Sequence, residues 1–466
     1  MRSGLLSSFM PISFSNQKIL ILGAGVTGNS VAAALSKRGA VITLTDENPK
    51  AISEFPILQP SEISVNDFDS IVVSPGWRQE HPLIVAAQKA GIALLNEVDL
   101  AWQIRADVAP NQKWLALTGT NGKTTTVEMV AAMLRSGGLK ATACGNVGDT
   151  VIDAVDRDDA FDVLVLELSS FQLHWSTAAE FVACAILNIA DDHIDWHGSF
   201  DSYAQAKVSL LDRSSAAILN GDDGEIVKRT MHWQGRKVFY SLDTPGPGEI
   251  GLVEELLVDR AFVLDPQEAA MFAELTEVMP TIPHNVSNAL AAAGLARAVG
   301  VSHEAIRQAI TQFRPGKHRI ETVYKADSIS WIDDSKATNP HAATASLMSF
   351  ESVIWIAGGL AKGASMDSLV ERSSKRIKAA ILIGSDRALI EAALIKFSPQ
   401  TPRVLIDADS PAALMEKIVE AALGFAASGD TVLLAPACAS MDQFLSYADR
   451  GDRFAAAVKK VVAHEK

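Results

Sequence analysis

The sequence predicts an α/β protein of three consecutive domains: a Rossmann-like N-terminal domain, a central P-loop ATPase-like domain and a Rossmann-like C-terminal domain. Three observations predict it. Short apolar runs alternate with longer amphipathic segments, and this alternation restarts twice along the chain. A glycine-rich loop follows the first apolar run of the first series, and a glycine-lysine loop follows the first run of the second.

Length and composition agree. At 466 residues the chain is too long for one ordinary core, and with 48% hydrophobic and 21% charged residues it has material for several. A formal charge of -14 excludes a general nucleic-acid binder, because phosphate backbones demand a basic surface. The N-terminus carries scattered serines and Pro11, which interrupt any signal-like apolar run. No sustained apolar run reaches the ~18 to 20 residues of a membrane span, so a cytoplasmic location without a membrane segment is expected. Cys144, Cys184 and Cys438 lie far apart in apolar stretches and read as core residues of a reducing compartment. No interface pattern stands out, and a monomer is the default.

The first unit, 1–102, contains the strand candidates KILILG (18–23), AVITLTD (40–46) and SIVVSPG (70–76). Gly23-Ala24-Gly25-Val26-Thr27-Gly28 follows the first strand, and the next strand ends in Asp46. That is the dinucleotide-binding fingerprint, in which glycines let the backbone approach a pyrophosphate at a helix N-terminus. Taken alone it suits NAD or any diphosphate-linked nucleotide. Ser74-Pro75-Gly76 ends the third strand on the carboxyl edge where such ligands bind.

The second unit, 103–315, brings KWLALTG (113–119), DVLVLELSS (162–170), FVACAILNIA (181–190) and AAILNGDD (216–223). Its loop, Gly119-Thr120-Asn121-Gly122-Lys123-Thr124, is a shortened P-loop, with Leu117 five residues before Gly122. Amides backed by a helix dipole would face an anion, Lys123 would reach terminal phosphates and Thr124 would ligate magnesium. Glu167 at the next strand end supplies a carboxylate. After the following strand come Asp191, Asp192, His193, Asp195, His197 and Lys207. His193 is the sharpest metal candidate of that run; spacing assigns no role to Lys207. The third unit, 316–466, begins at the joint RPGKHR (314–319) and holds a third strand series between 352 and 440.

TGTNGKTTT, ELSSFQL, LNIADDHIDWHGSFDSYAQAK and PHNVSNALAA together resemble the Mur ligase family, ATP-dependent amide-forming enzymes of peptidoglycan synthesis, over essentially the whole chain. In the third unit WIDDSKATNPHAA, AGGLAKG and APACASMDQFLSYADRGDRF resemble the members that add D-glutamate to UDP-N-acetylmuramoyl-L-alanine. The resemblance implies an acid–amino-acid ligase of cell wall biogenesis, acting on cell shape and division. It implies ATP and two magnesium ions as cofactors and small-molecule substrates activated as an acyl phosphate. It implies that Gly119, Thr120, Asn121, Gly122, Lys123, Thr124, Thr125, Asn285, Asn288, His318, Arg319 and Asp334 bind ATP. Thr124, Glu167, His193 and a carbamylated Lys207 would serve the metal, with Lys123, His193, Lys207 and Lys336 catalytic. Val26, Thr27, Asp46, Glu47, Ser74, Gly76 and Asn146 would take the UDP substrate, and Thr338, Lys362, Ser440 and Tyr447 D-glutamate.

Two departures accompany the resemblance: tyrosine stands at 447 where a phenylalanine is expected, and Asn48 where an arginine is. Rival readings at this point are a sibling or folylpolyglutamate-type ligase using another amino acid, a nicotinamide-dependent dehydrogenase built on the first unit, and a non-enzymatic ATP switch.

Overall fold

A computed structural model describes residues 14–265 and 267–464. The chain forms two compact units. One runs up to Ile189 and includes His193–Val278 and Val286–Phe313; the other comprises Ala190–Asp192, Met279–Asn285 and the chain from Arg314 on.

The first unit holds two sheets. Strands β1 (Lys18–Leu22), β2 (Val41–Thr45), β3 (Ile57–Leu58), β4 (Ser70–Val73) and β5 (Ala93–Leu95) form an all-parallel sheet in the order β3-β2-β1-β4-β5. Every residue of β1 except Lys18 is buried, as are all four of β4, which is why these runs read as continuous apolar strands. The edge strands β3 and β5 are short and partly exposed, so no such run announces them. The strand order reverses between β1 and β4, and at that switch point the loops after both strands meet.

The helix Glu97–Val108 leads into the second sheet, and the joint expected near 102 lies inside it. Asp99 on this helix accepts hydrogen bonds from the Ser176 hydroxyl, the amides of Thr177, Ala178 and Ala179, and the Asn96 side chain. The second sheet comprises β6 (Lys113–Thr118), β7 (Ala141–Gly145), β8 (Val163–Glu167), β9 (Ala183–Ile186), β10 (Ala216–Asn220), β11 (Arg236–Tyr240), β12 (Ile250–Val253), β13 (Leu256–Asp259) and β14 (Ala270–Glu274). Its order is β14-β13-β12-β11-β10-β9-β6-β8-β7, parallel as far as β12 and antiparallel from β12 to β14. β6, β8 and β9 are almost wholly buried, and the glycine-lysine loop follows an interior strand of the sheet.

The other unit carries the third sheet: β15 (Glu321–Ala326), β16 (Ile329–Asp333), β17 (Val353–Gly358), β18 (Ile377–Ile383), β19 (Arg403–Leu405) and β20 (Thr431–Leu434), in the order β15-β16-β20-β17-β18-β19. Only the hairpin partner β15 is antiparallel. The helix Tyr447–His464 ends the described chain. Cys144, Cys184 and Cys438 are buried and free, as expected of core residues. Among the described residues no helix is long and apolar enough to cross a membrane.

Candidate active site

The loop Gly119–Gly122 joins β6 to the helix Lys123–Ser136, which starts with Gly122 at φ 82°. A Cβ on Gly122 would lie 2.5 Å from Asn288 Oδ1, so both conformation and space require glycine there. Asn188, in the loop after β9, braces the turn. Its carbonyl accepts from the Thr120 amide at 2.9 Å, its Oδ1 from the Asn121 amide at 2.7 Å, and its Nδ2 donates to the Asn121 carbonyl at 3.1 Å.

Two lysines converge on this loop. Lys123 Nζ donates to the carbonyls of Gly119 and Thr120, both at 2.9 Å. Lys207, 2% exposed on the helix Phe200–Val208, donates to the same Gly119 carbonyl at 3.0 Å, with its ammonium 4.6 Å from the centre of the Tyr203 ring. The sheet register sets Leu117 of β6 opposite Glu167 of β8. Glu167 is 1% exposed; Asn146 Nδ2 donates to its Oε1 at 2.8 Å, while its buried Oε2 has no hydrogen-bond partner among the described residues. A buried carboxylate oxygen without a donor, at the strand end beside the glycine-lysine loop, fits a hard cation.

His193 is exposed, at φ 52°, with its ring edge-on to Phe171 at 4.7 Å. It opens the short helix Ile194–His197, which packs Trp196 and His197 among Phe171, His174 and Tyr203. Burial, then the positive charges of His174, Lys207 and His193, pushes His197 down to about 4, so it stays neutral; its Nε2 pairs with the Ser170 hydroxyl at 2.9 Å. Trp196 Nε1 donates to the Gly76 carbonyl at 3.2 Å, tying this segment to the loop after β4.

At the switch point of the first sheet, Gly23 (φ 106°) leaves no room for a Cβ against Ser74, and one on Gly28 would overlap the Gly23 carbonyl. Gly25 faces open space and Val26 is exposed. Asp46 closes the loop from within, accepting from the Ala24 amide at 2.7 Å and the Asn48 amide at 2.8 Å. Thr27 and Ser74 are half-buried, and Glu47 is exposed with His81 Nε2 3.4 Å from it. Asn146, expected with the UDP substrate, donates from its Nδ2 to Glu167.

Because β20 lies between β16 and β17, the loops after these strands adjoin, bringing Asp334, Lys336 and Thr338 together with Ser440 and Lys362 at one sheet edge. Ser440 is buried and Lys362 exposed at φ 50°. Lys336 Nζ lies 3.9 Å from the centre of the Tyr447 ring. Asp334 is buried, accepts from the Ile320 amide and the Ser346 hydroxyl, and is pushed by burial up to about 6 against those bonds. His318 is buried against Asp333, Nδ1 to Oδ2 2.7 Å, and Arg319 beside it is half-buried. Asn285 turns its amide to the Pro280 carbonyl at 3.0 Å.

Comparison with known proteins agrees along the chain. The MurD-like N-terminal domain of Mur ligases matches residues 17–96, the Mur ligase middle domain 117–296 and the Mur ligase glutamate ligase domain 318–438. The chain belongs to the Mur ligase family. Mur ligases are ATP-dependent, amide-forming enzymes, the class that the resemblance implied. A UDP-N-acetylmuramoylalanine--D-glutamate ligase of Streptomyces coelicolor is 45% identical over 97% of this chain and 100% of its own. That of Thermobifida fusca is 45% identical over 95% and 98%. Solved Mur-type structures share the fold at low identity. A pseudomurein peptide ligase type C from Methanothermus fervidus has a TM-score of 0.62 at 18% identity, over 96% of this chain and 100% of that one. The MurF ligase of Thermotoga maritima, in complex with ADP, has 0.59 at 15%, over 98% of both.

In this Mur ligase the residues that sequence reasoning missed are braces. Asn188 lies within the quoted stretch FVACAILNIA, but its role needs β9 to be the neighbour of β6. Arg450 lies in the quoted ADRGDRF, yet nothing in that string shows a fully buried guanidinium.

Proposed function

We propose that this Mur ligase joins D-glutamate to UDP-N-acetylmuramoyl-L-alanine, using ATP and releasing ADP and phosphate. The two relatives at 45% identity over nearly the full chain, named for that reaction, support the choice of substrates. The observation that carries the chemistry is the convergence of Lys123 and Lys207 on the Gly119 carbonyl beside the unpartnered oxygen of Glu167.

The substrate carboxylate attacks the γ-phosphorus and ADP leaves, giving an acyl phosphate. The amine of D-glutamate then attacks the acyl carbon, phosphate leaves, and the nitrogen loses a proton. Phosphoryl transfer asks a protein for positioning and charge neutralisation. The amides of Gly119–Thr125 cradle the triphosphate, Lys123 swings from the loop carbonyls to the terminal phosphates, and Asn288 stands against Gly122 on the nucleotide side. Asn285, His318, Arg319 and Asp334 are assigned to the nucleotide as well. Magnesium, two ions in this reading, would offset the charge of the phosphates. Thr124, Glu167 and His193 would hold it, joined by Lys207 if its amine takes up carbon dioxide to become a carbamate. The placement of Lys207, 2% exposed and against the Gly119 carbonyl, supports that assignment.

Residues 1–102 are assigned to the UDP substrate through Val26, Thr27, Ser74 and Gly76, with Asp46 and Glu47 shaping the loop. Residues 103–315 take ATP, and 316–466 take D-glutamate through Thr338, Lys362 and Ser440. Lys336 stabilises the anion developing at the acyl phosphate. We assign a monomer.

The test is phosphate release from ATP with magnesium and UDP-N-acetylmuramoyl-L-alanine, comparing D-glutamate, L-glutamate, meso-diaminopimelate and no amino acid. Release that requires D-glutamate, with one amide formed per phosphate, is expected. Turnover with another amino acid moves the assignment to a sibling activity.

A further inference from the structure

The first turns of the helix Tyr447–His464 make an unusual set of contacts with the loop that follows β16. Arg450 is 0% exposed. Its Nε donates to Ser335 Oγ at 2.9 Å, its Nη2 to the Ser335 carbonyl at 2.9 Å, and its Nη1 to the Cys438 carbonyl at 3.2 Å. The Ser335 hydroxyl in turn donates to the Tyr447 carbonyl at 2.7 Å. One guanidinium thus joins the loop after β16 to the loop after β20. Gly451 completes the seat: a Cβ there would lie 2.2 Å from His318 Nδ1 and 2.5 Å from Asp333 Oδ2, so the helix approaches this strand end as closely as only glycine permits.

Burying a charge costs several kcal/mol and hydrophobic residues commonly replace such groups without loss, so a fully buried arginine is weak evidence for stability and better evidence for a fixed geometry. What it fixes is the backbone of Ser335, the residue before Lys336. The Lys336 ammonium then rests 3.9 Å from the centre of the Tyr447 ring, a cation–π contact that restrains an otherwise flexible side chain.

We propose that Tyr447 and Arg450 are positioning residues of the ligase reaction, holding Lys336 aimed: Arg450 through the backbone of Ser335, Tyr447 through its ring. This rests on the reading of Lys336 given above. It also changes the place of Tyr447, which sequence resemblance put among the D-glutamate contacts.

The experiment uses the full chain and steady-state ADP release, with kcat and KM for all three substrates in Y447F, Y447L, R450K, K336A and the double variant K336A/Y447L. Y447L is expected to lower kcat roughly tenfold, with KM for D-glutamate and for the UDP substrate changed less than about threefold. Y447F retains most of kcat because the ring face remains. R450K lowers kcat, since an ammonium cannot reproduce the fork to Ser335 and Cys438. In the K336A background, followed at high enzyme concentration, Y447L causes no further loss. A rise in KM for D-glutamate with kcat retained in Y447L overturns the proposal, as does an equal loss from Y447L with and without Lys336. Wild-type kcat in K336A overturns the underlying reading of Lys336. K336A inactive with kcat of Y447L intact overturns the positioning role alone.

Discussion

Glu97→Gln should flatten the pH dependence of stability across the junction between the first two sheets. Glu97 is buried in the first turn of the helix Glu97–Val108, and its Oε1 accepts from the Ile152 amide at 2.7 Å, at the start of the helix Val151–Val155. Burial raises its carboxyl from 4.5 to about 7, with Asp153 adding repulsion and the amides of Ile152 and Val151 pulling the other way. The folded protein therefore keeps a proton on Glu97 that the unfolded chain has already lost. Stability contributed by this site is full below about pH 4.5 and falls as pH rises towards 7, after which the loss is constant. At 1.36 kcal/mol per pKa unit the fall amounts to roughly 3 kcal/mol. The neutral glutamine has no proton to lose, so its amide carbonyl keeps the Ile152 bond at every pH. Thermal or urea unfolding of both proteins at pH 5, 6, 7 and 8 checks this, compared transition by transition because a chain with more than one compact unit need not unfold in one step. The variant should gain on the parent by up to that amount between pH 5 and 8. A constant difference across the range would refute the reasoning, because it would show that Glu97 holds the same charge folded and unfolded.

Other outcomes follow from the same structure. Asp99→Ala leaves the amides of Thr177, Ala178 and Ala179 without their acceptor and should cost roughly 3 kcal/mol or more in unfolding free energy; a midpoint within error of the parent would contradict it. Gly122→Ala, forced to hold a side chain at φ 82° against Asn288, should raise KM for ATP by about tenfold or more while leaving affinity for the UDP substrate unchanged; isothermal titration with each nucleotide separates the two. Glu167→Gln keeps an acceptor for Asn146 but puts an amide NH2 in place of the unpartnered oxygen and removes the charge, so the magnesium concentration for half-maximal rate should rise roughly tenfold or more; an unchanged magnesium titration would remove Glu167 from the metal site.

The amino-acid sequence by itself determined the class of the molecule. Buried central strands such as β1, β4, β6 and β8 announce themselves because both faces are covered and nearly every residue is apolar. The loops at 23–28 and 119–124 were legible for a related reason: glycines at fixed offsets after a strand, joined in the second loop by a lysine, form a local pattern that strand pairing does not alter. Glu167 was legible as the last residue of such a strand. The edges were not. β3, β5 and the antiparallel strands β12 to β14 are short or half-exposed, so their composition differs little from that of loops.

Tertiary structure alone decided which strand ends are neighbours. Asn188 reaches the P-loop because β9 pairs with β6, and Asn146 reaches Glu167 because β7 pairs with β8. Lys207, to which spacing gave no role, meets Lys123 at one carbonyl because the helix Phe200–Val208 packs its buried face there. Arg450 and Tyr447 act on a loop more than a hundred residues earlier in the chain. Local chemistry is written in short strings of residues, but the partners of a buried group are set by strand order, and strand order arises from packing across the whole sheet.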